Sequence, residues 1–401
     1  MSGPLAGIRI IDLTTVVMGP FSTQILGDHG ADVIKVESRE GDIMRAAGPT
    51  LHPGMGHLYL TTNRGKRSVV IDLKHPDGRN ALLALVKTAD ALVYNIRPQA
   101  MSRLGLTYEE VAAVNPRIIY VGAFGFSQRG PYADRPAYDD LIQGMAGIPW
   151  LSREAGAEVP RYAPMILADR MVGMAVANAL LSALLHRERT GRGQRVDVPM
   201  FESLAGIVLG EHLAGKLFHP PQGPVGYQRS LTPERRPYRT QDGYICTMVY
   251  SDKHWQTFLT AIGRPEIFDT DPRFSSHPAR HANITEVYRF LAGVLATRTT
   301  EYWMDLFRKG DIPAAPMYSI DDIVNDEHLA AIGYFSRSEH PSEGSITITA
   351  IPTEWSDSQP EMPGHAPALG ENTVEVMLEA GYSSAEIDDL INRGAIAIRP
   401  I

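Results

Sequence analysis

The chain has one cysteine, Cys246, among 401 residues. An internal disulfide is excluded, and inside the apolar run Tyr244–Val249 the thiol reads as a core residue rather than a nucleophile. Basic residues are in the minority, 38 Lys and Arg against 46 Asp and Glu, and the net charge of −8 argues against a general nucleic-acid binder. No apolar run is read as long enough for a membrane span. The opening M-S-G-P-L-A-G-I-R-I-I-D-L has no basic stretch leading into an apolar core, so no secretory signal is expected and a cytoplasmic location is. Phosphate-binding signatures are missing too. The first strand-like run is followed by M-G-P instead of G-x-G-x-x-G, which argues against a nicotinamide dinucleotide, and there is no G-x-x-x-x-G-K-[ST] loop. Ser127 in G-F-S-Q-R-G has the wrong spacing for a nucleophile elbow and reads as a turn residue. The 13 histidines are scattered, with no H-E-x-x-H and no cysteine cluster, so no metal site is expected.

What is present is an ordinary globular composition, 44% hydrophobic and 21% charged, at a length that suits two domains or one domain with an insertion. Strand-like runs at Ile8–Leu13, Ala31–Val36, Ser68–Leu73, Ala91–Tyr94 and Arg117–Val121 alternate with helical spacing, first after Gly19-Pro20 and again over Asp77–Thr88. Such alternation predicts a Rossmann-like α/β layer structure with ligands at the carboxyl ends of the strands. The loops after Leu13, Val36, Leu73 and Tyr94 are therefore the candidate binding loops. Met171–Arg187 is apolar nearly all round and predicts a buried helix. Pro, Gly and Arg cluster from His219 to Arg239, as in a linker or active-site loop, and Tyr238–Asp321 reads as a smaller α/β segment. The strand-like Ser345–Ile351 and a helix near Asn372–Ala380 are expected to return to the first domain. The expected division is thus 1–220, 221–325 and 326–401.

Charge is uneven. From Asn63 to Arg103 there are eight basic residues (Arg64, Lys66, Arg67, Lys74, Arg79, Lys87, Arg97, Arg103) and three acidic ones (Asp72, Asp77, Asp90). This is either a solvated surface or a local site for a polyanion such as a nucleotide phosphate. The segment P-M-I-L-A-D-R-M-V-G, Pro164–Gly173, sets one carboxylate, Asp169, at the start of the long apolar helix. Taken alone, it reads as a helix N-cap.

The opening L-A-G-I-R-I-I-D-L-T-T-V-V-M-G-P-F-S-T-Q-I-L-G-D-H-G-A-D-V-I-K-V-E resembles the start of family III CoA-transferases, the group that includes formyl-CoA transferase, the carnitine CoA-transferases and α-methylacyl-CoA racemase. Further matches follow in order along the chain: N-R-G-K-R-S-V-V-I-D-L-K, Y-N-I-R-P-Q-A-M-S-R-L-G-L, R-P-A-Y-D-D-L-I-Q-G-M-A-G, A-D-R-M-V-G, R-T-G-R-G-Q-R-V-D-V-P-M and A-P-A-L-G-E-N-T. The resemblance implies an interlocked homodimer. Each chain would have a large Rossmann-like domain built from both termini and a smaller α/β domain between them. It implies coenzyme A or acyl-CoA as substrate, with no permanently bound cofactor. The CoA-binding positions would be Val16, Arg39, Ile71, Lys74, Asn95, Ile96, Ala100, Arg103, Tyr138, Asp139 and Met200.

The same resemblance makes Asp169 the nucleophile of covalent catalysis, carrying first an acyl group and then CoA as an aspartyl thioester. The alternative is a 2-methylacyl-CoA racemase working by α-proton abstraction. The racemases pair His with Asp where this chain has Tyr138-Asp139, and a tyrosine titrates too high to serve as base at neutral pH. A non-enzymatic CoA-binding subunit ranks last, because Asp is retained at 169. Val17 stands where formyl-CoA transferases carry Gln, and no glycine run lies between Gly206 and Arg239, so formate and oxalate are not the expected substrates. The segment P-E-R-R-P-Y-R, Pro233–Arg239, is either an exposed basic linker or a partner for the free carboxylate of a dicarboxylic acyl group.

Overall fold

The computed structural model describes residues 2–398. It divides into two compact units. One comprises residues up to Ala146, Pro164–Gly206 and the chain from Ala330 onward; the other comprises Gly147–Ala163 and Ile207–Leu329.

The first unit is built on strands β1 (Arg9–Leu13), β2 (Asp32–Glu37), β3 (Arg67–Ile71), β4 (Ala91–Tyr94), β5 (Ile119–Phe124) and β6 (Gln194–Pro199). Each pairs in parallel with its neighbour in the order 3-2-1-4-5-6. The near-continuous apolar runs that flagged these strands are what a parallel sheet covered on both faces requires. A two-residue strand near the C-terminus, Ile396–Ala397, closes the β3 edge antiparallel.

Alternate residues serve opposite faces. Ile11, Leu13, Ile34, Val36, Val69 and Ile71 join one core, shared with the helices Pro76–Val86, Thr373–Glu379 and Ser384–Asn392. Asp12 belongs to the intervening register. It sits opposite Lys35 in the β1–β2 ladder and bonds Thr23 of the helix Met18–Asp28. That helix packs against the 24-residue helix Leu167–Thr190. Gly173 makes the crossing possible, because a Cβ there would lie 2.9 Å from the Met18 carbonyl oxygen and from Phe21.

Two expectations need correction here. The helix Leu167–Thr190 is not buried all round, since Met174 and Leu185 are exposed while Val172, Val176 and Leu180 are enclosed. It is also long and apolar enough to cross a membrane by length and composition alone, although half of that stretch is buried in the fold. The strand expected at Ser345–Ile351 is present at Gly344–Thr349 within the first unit, as expected, where it pairs in a hairpin with Phe335–His340 and not with the main sheet.

The second unit has a small antiparallel sheet, Tyr238–Arg239, Tyr244–Thr247 and Ala314–Pro316. The helices Asp252–Ala261, Ile284–Leu295 and Thr300–Lys309 enclose an aromatic core of Trp255, Phe258, Phe274, Trp303 and Phe307. The indole of Trp303 donates to the Leu295 carbonyl at 2.8 Å, so its one polar atom is satisfied. Cys246 is not part of this core. The two-residue period of the strand buries Ile245 and turns Cys246 to the exposed side.

Candidate active site

In a sheet of order 3-2-1-4-5-6 the chain reverses direction across the sheet between β1 and β4, and the loops leaving those strands part to form a crevice. A cavity of about 270 Å³ lies there, lined by Thr15, Val16 and Met18 after β1, Asn95–Pro98 after β4, residues after β5, Asp169 and Met200. The two walls are tied together: the Asn95 amide accepts from the Thr15 N–H at 3.1 Å and donates to the Thr15 carbonyl at 2.8 Å.

The β1 wall is strained. Val16 has φ of 73°, a left-handed conformation rarely adopted by a β-branched residue. Such outliers cost about 1–3 kcal/mol and persist only where the surroundings enforce them. The enforcement comes from below. Asp42 accepts from the Val16 N–H at 3.2 Å, and Lys35 donates to the Thr14 carbonyl and to Asp42, both at 2.9 Å. Asp12 accepts from the Thr14 N–H, from Thr23 and from Lys66. The Lys66 ammonium also lies within 2.8–2.9 Å of Pro20, Thr23 and Asn63, which share its remaining two N–H donors. Asp12, Lys35 and Lys66 are sealed from solvent. Burial would raise the Asp12 pKa, but Lys66 and Lys35 override it and hold the group well below the usual carboxylate range. Burial pulls Lys66 down to about 8. Glu37 continues the network to Arg45, which also bonds the Tyr59 hydroxyl. Gly19 completes the turn: a Cβ there would fall within 2.3 Å of the Thr14 side chain.

Asp169 lies in the first turn of Leu167–Thr190, but the cap position is Ile166 and Asp169 does not cap the helix. Asp139 does. One oxygen of its carboxylate accepts the Asp169 backbone N–H at 3.0 Å, and the other accepts from Gln143 at 2.5 Å. Gln143 also donates to the Met165 carbonyl at 3.2 Å, which fixes the approach to the helix. The Asp169 carboxylate is thereby released from capping. It is 8% exposed, and no side chain among the described residues donates to it. It is pushed up to about 7, by burial first and by the Asp139 charge second, with Arg170 opposing. Arg170 itself lies over the Phe21 ring.

Of the positions singled out in the sequence, Val16, Asn95, Ile96, Tyr138, Asp169 and Met200 line this cavity. Tyr138, 72% exposed, stands at the N-cap of the helix Asp139–Met145. Asp139 stands behind Asp169. Ile71 and Lys74 end β3 and its loop, while Ala100 and Arg103 lie on the helix Pro98–Arg103; none of the four lines the cavity. Arg39 donates to the Gly394 carbonyl at 2.9 Å. The basic window is partly spent inside the fold: Lys66 pairs with Asp12, Arg64 with Asp28, Arg67 with Asp32 and Glu379, and Arg79 with Glu110. Arg97, counted in the basic window as a candidate anion contact, lines the cavity, and so do Gln128 and Arg135, which stand in quoted segments but were given no site role.

Residues 5–373 match the sequence model of CoA-transferase family III. The chain belongs to that family. Among relatives of this family III CoA-transferase, the acetyl-CoA:oxalate CoA-transferase of Acetobacter aceti is 34% identical over 96% of this chain and 97% of its own length. The succinate–glutarate CoA-transferase of Agrobacterium fabrum is 32% identical, over 94% and 95%. Among solved structures, Rv3272 from Mycobacterium tuberculosis superposes with a TM-score of 0.78 at 30% identity, covering 93% of this chain and 99% of that one. A CAIB/BAIF family protein from Brucella suis gives 0.78 at 29%, covering 95% and 100%.

Proposed function

We propose that this enzyme moves CoA from an acyl-CoA to a small carboxylic acid, mono- or dicarboxylic, with Asp169 as the nucleophile. One observation carries the reading: a buried carboxylate, with no side-chain donor among the described residues, lines the cavity at the switch point of the sheet. An Asp oxygen attacks the thioester carbonyl, the C–S bond breaks, and CoA thiolate leaves an aspartyl–acyl anhydride. The thiolate then attacks the Asp169 carbonyl, releasing the donor acid as its carboxylate and leaving an aspartyl–CoA thioester. An acceptor carboxylate attacks that carbonyl, thiolate leaves again, and its attack on the acyl carbonyl delivers the new acyl-CoA and restores Asp169. No net proton is consumed, so Asp169 must enter ionised. A poorly solvated carboxylate with a raised pKa is basic, and among the described residues no side-chain hydrogen bond damps its nucleophilicity.

CoA would bind the first unit along the loops after β1–β4, with Lys74, Arg97 and Arg103 available for phosphates, since no acidic side chain pairs with them among the described residues. The N-terminus of Met18–Asp28, at the same cavity, favours negative charge. The acting form would be an interlocked homodimer, the large domain formed by both ends of the chain. The racemase reading is not favoured. Its second base would fall to the exposed Tyr138, and the relatives above are named as CoA-transferases.

The test is mass spectrometry of the protein mixed with a panel of acyl-CoAs and quenched with hydroxylamine or borohydride. Modification on the peptide bearing Asp169 is expected. No adduct with any donor, together with α-proton exchange in deuterated water, overturns the reading.

A further inference from the structure

The second unit holds a cavity of its own, about 300 Å³. Its wall carries three guanidinium groups, Arg229, Arg235 and Arg236, and no Asp or Glu lines it. Little of that charge is neutralised nearby. Arg236 pairs with Glu234 at 3.2 Å, but Glu234 is shared with Arg289 at 3.1 Å. Arg229 is held by the neutral hydroxyl of Tyr288 at 3.0 Å, and the Arg235 side chain has no partner among the described residues. The floor is apolar: Tyr238, Val249 and Leu291 are buried beneath it. An exposed thiol, Cys246, lies on the rim.

We infer that this pocket binds an organic carboxylate with an apolar body, its charge forked by Arg235 and Arg229 and its body on the floor. Planar guanidinium groups match a carboxylate in two-point geometry, and an apolar floor favours a hydrocarbon acid over inorganic phosphate. A few charged groups above apolar walls are the usual make-up of a small-molecule site, and the volume is near the lower end of the range for one. The inference goes beyond the transferase reading and needs no turnover to be tested.

Cys246 is the only thiol in the chain and thus a built-in reporter. Its alkylation by uncharged N-ethylmaleimide is followed on the full-length protein with hexanoate or benzoate, at ionic strength held constant with chloride. Labelling is expected to slow saturably, by about tenfold when the acid stands at ten times its half-saturating concentration. The double substitution Arg229→Gln/Arg235→Gln should abolish the protection. Asp169→Ala, in the other unit, should leave it intact even though transfer is lost. The inference is overturned by absence of saturable protection, by equal protection from chloride, inorganic phosphate or free CoA, or by loss of protection in Asp169→Ala.

Discussion

Asp12 and Asp169 are the same residue type, both buried in the same unit, and they are held in opposite electrostatic states. Asp12 has two lysines and two hydroxyl-bearing neighbours, and its carboxyl is driven well below the ordinary range. Asp169 has another carboxylate beside it and no side-chain donor among the described residues, and is pushed up to about 7. Burial disfavours the charge in both cases, and the neighbours decide the outcome. The matched group fixes backbone: through Thr14, Lys35 and Asp42 the network holds Val16 in its strained conformation at the cavity wall. The mismatched group is left with basicity that Arg170 only partly offsets. Perturbed carboxyls of this second kind mark sites of chemistry more often than sites of support.

The contrast breaks most sharply on removal of Asp169. If the carboxylate is the covalent carrier, Asp169→Ala should cost on the order of 10⁴-fold or more in CoA transfer, the scale seen when a nucleophile is deleted. Steady-state transfer with any donor found by adduct formation measures this; near-normal activity would reduce Asp169 to a structural acid. On the matched side, Lys66→Met leaves Asp12 buried with one cation fewer. Breaking a buried pair in this way costs about 3–5 kcal/mol. The urea midpoint should fall accordingly at pH 7, and the deficit should shrink in acid as Asp12 takes a proton. A pH-independent deficit would mean that lost packing, not lost charge, is responsible.

Much of the sheet is legible in the sequence because parallel strands buried on both faces are short continuous apolar runs, as in I-R-I-I-D-L and A-D-V-I-K-V. The same runs carried an unused signal: Asp12 and Lys35 are charged residues inside strands with no solvent face, and opposite charges in matching positions of adjacent strands point to a buried pair. The exposed side of Leu167–Thr190 was not legible, because alanine-rich helices show little contrast between faces. Nor was the capping of Asp169 by Asp139, since the two are 30 positions apart and meet only when the helix Asp139–Met145 docks. Arg97 and Arg135 were visible as charges, but the cavity they line exists only once the loops after β4 and β5 are set side by side.

A smaller effect should appear as stability. Between the ordinary carboxyl range and about pH 7 the folded protein keeps a proton on Asp169 that the unfolded chain has lost, so this group lowers stability as pH rises through that window. Asp169→Asn removes the titration. It should match the wild type near pH 4 and exceed it at pH 7 and above by roughly 2–4 kcal/mol. Thermal denaturation across pH checks the sign: a variant less stable than wild type at pH 8 would show that the carboxylate is compensated in the folded state.

The smallest and most discriminating change is Asp139→Asn. The amide oxygen can still accept the Asp169 N–H, so the helix cap survives while the second charge goes, with the loss of one of the two Gln143 bonds, to residue 139 or to the Met165 carbonyl. Transfer requires ionised Asp169, so the wild-type rate should climb through pH 7 and level off above pH 8. With the like charge removed and burial unchanged, the rising limb should move to lower pH by about one unit, an interaction of about 1.4 kcal/mol. The plateau should stay within a few-fold of wild type. The variant would then be faster than wild type at pH 5.5–6, a gain of function in acid that no purely structural role of Asp139 produces. If the limb does not move and only the plateau falls, burial alone sets the Asp169 acidity. The pair of carboxylates would then differ from the Asp12 network only in its missing donors, and Asp139 would be a cap and nothing more.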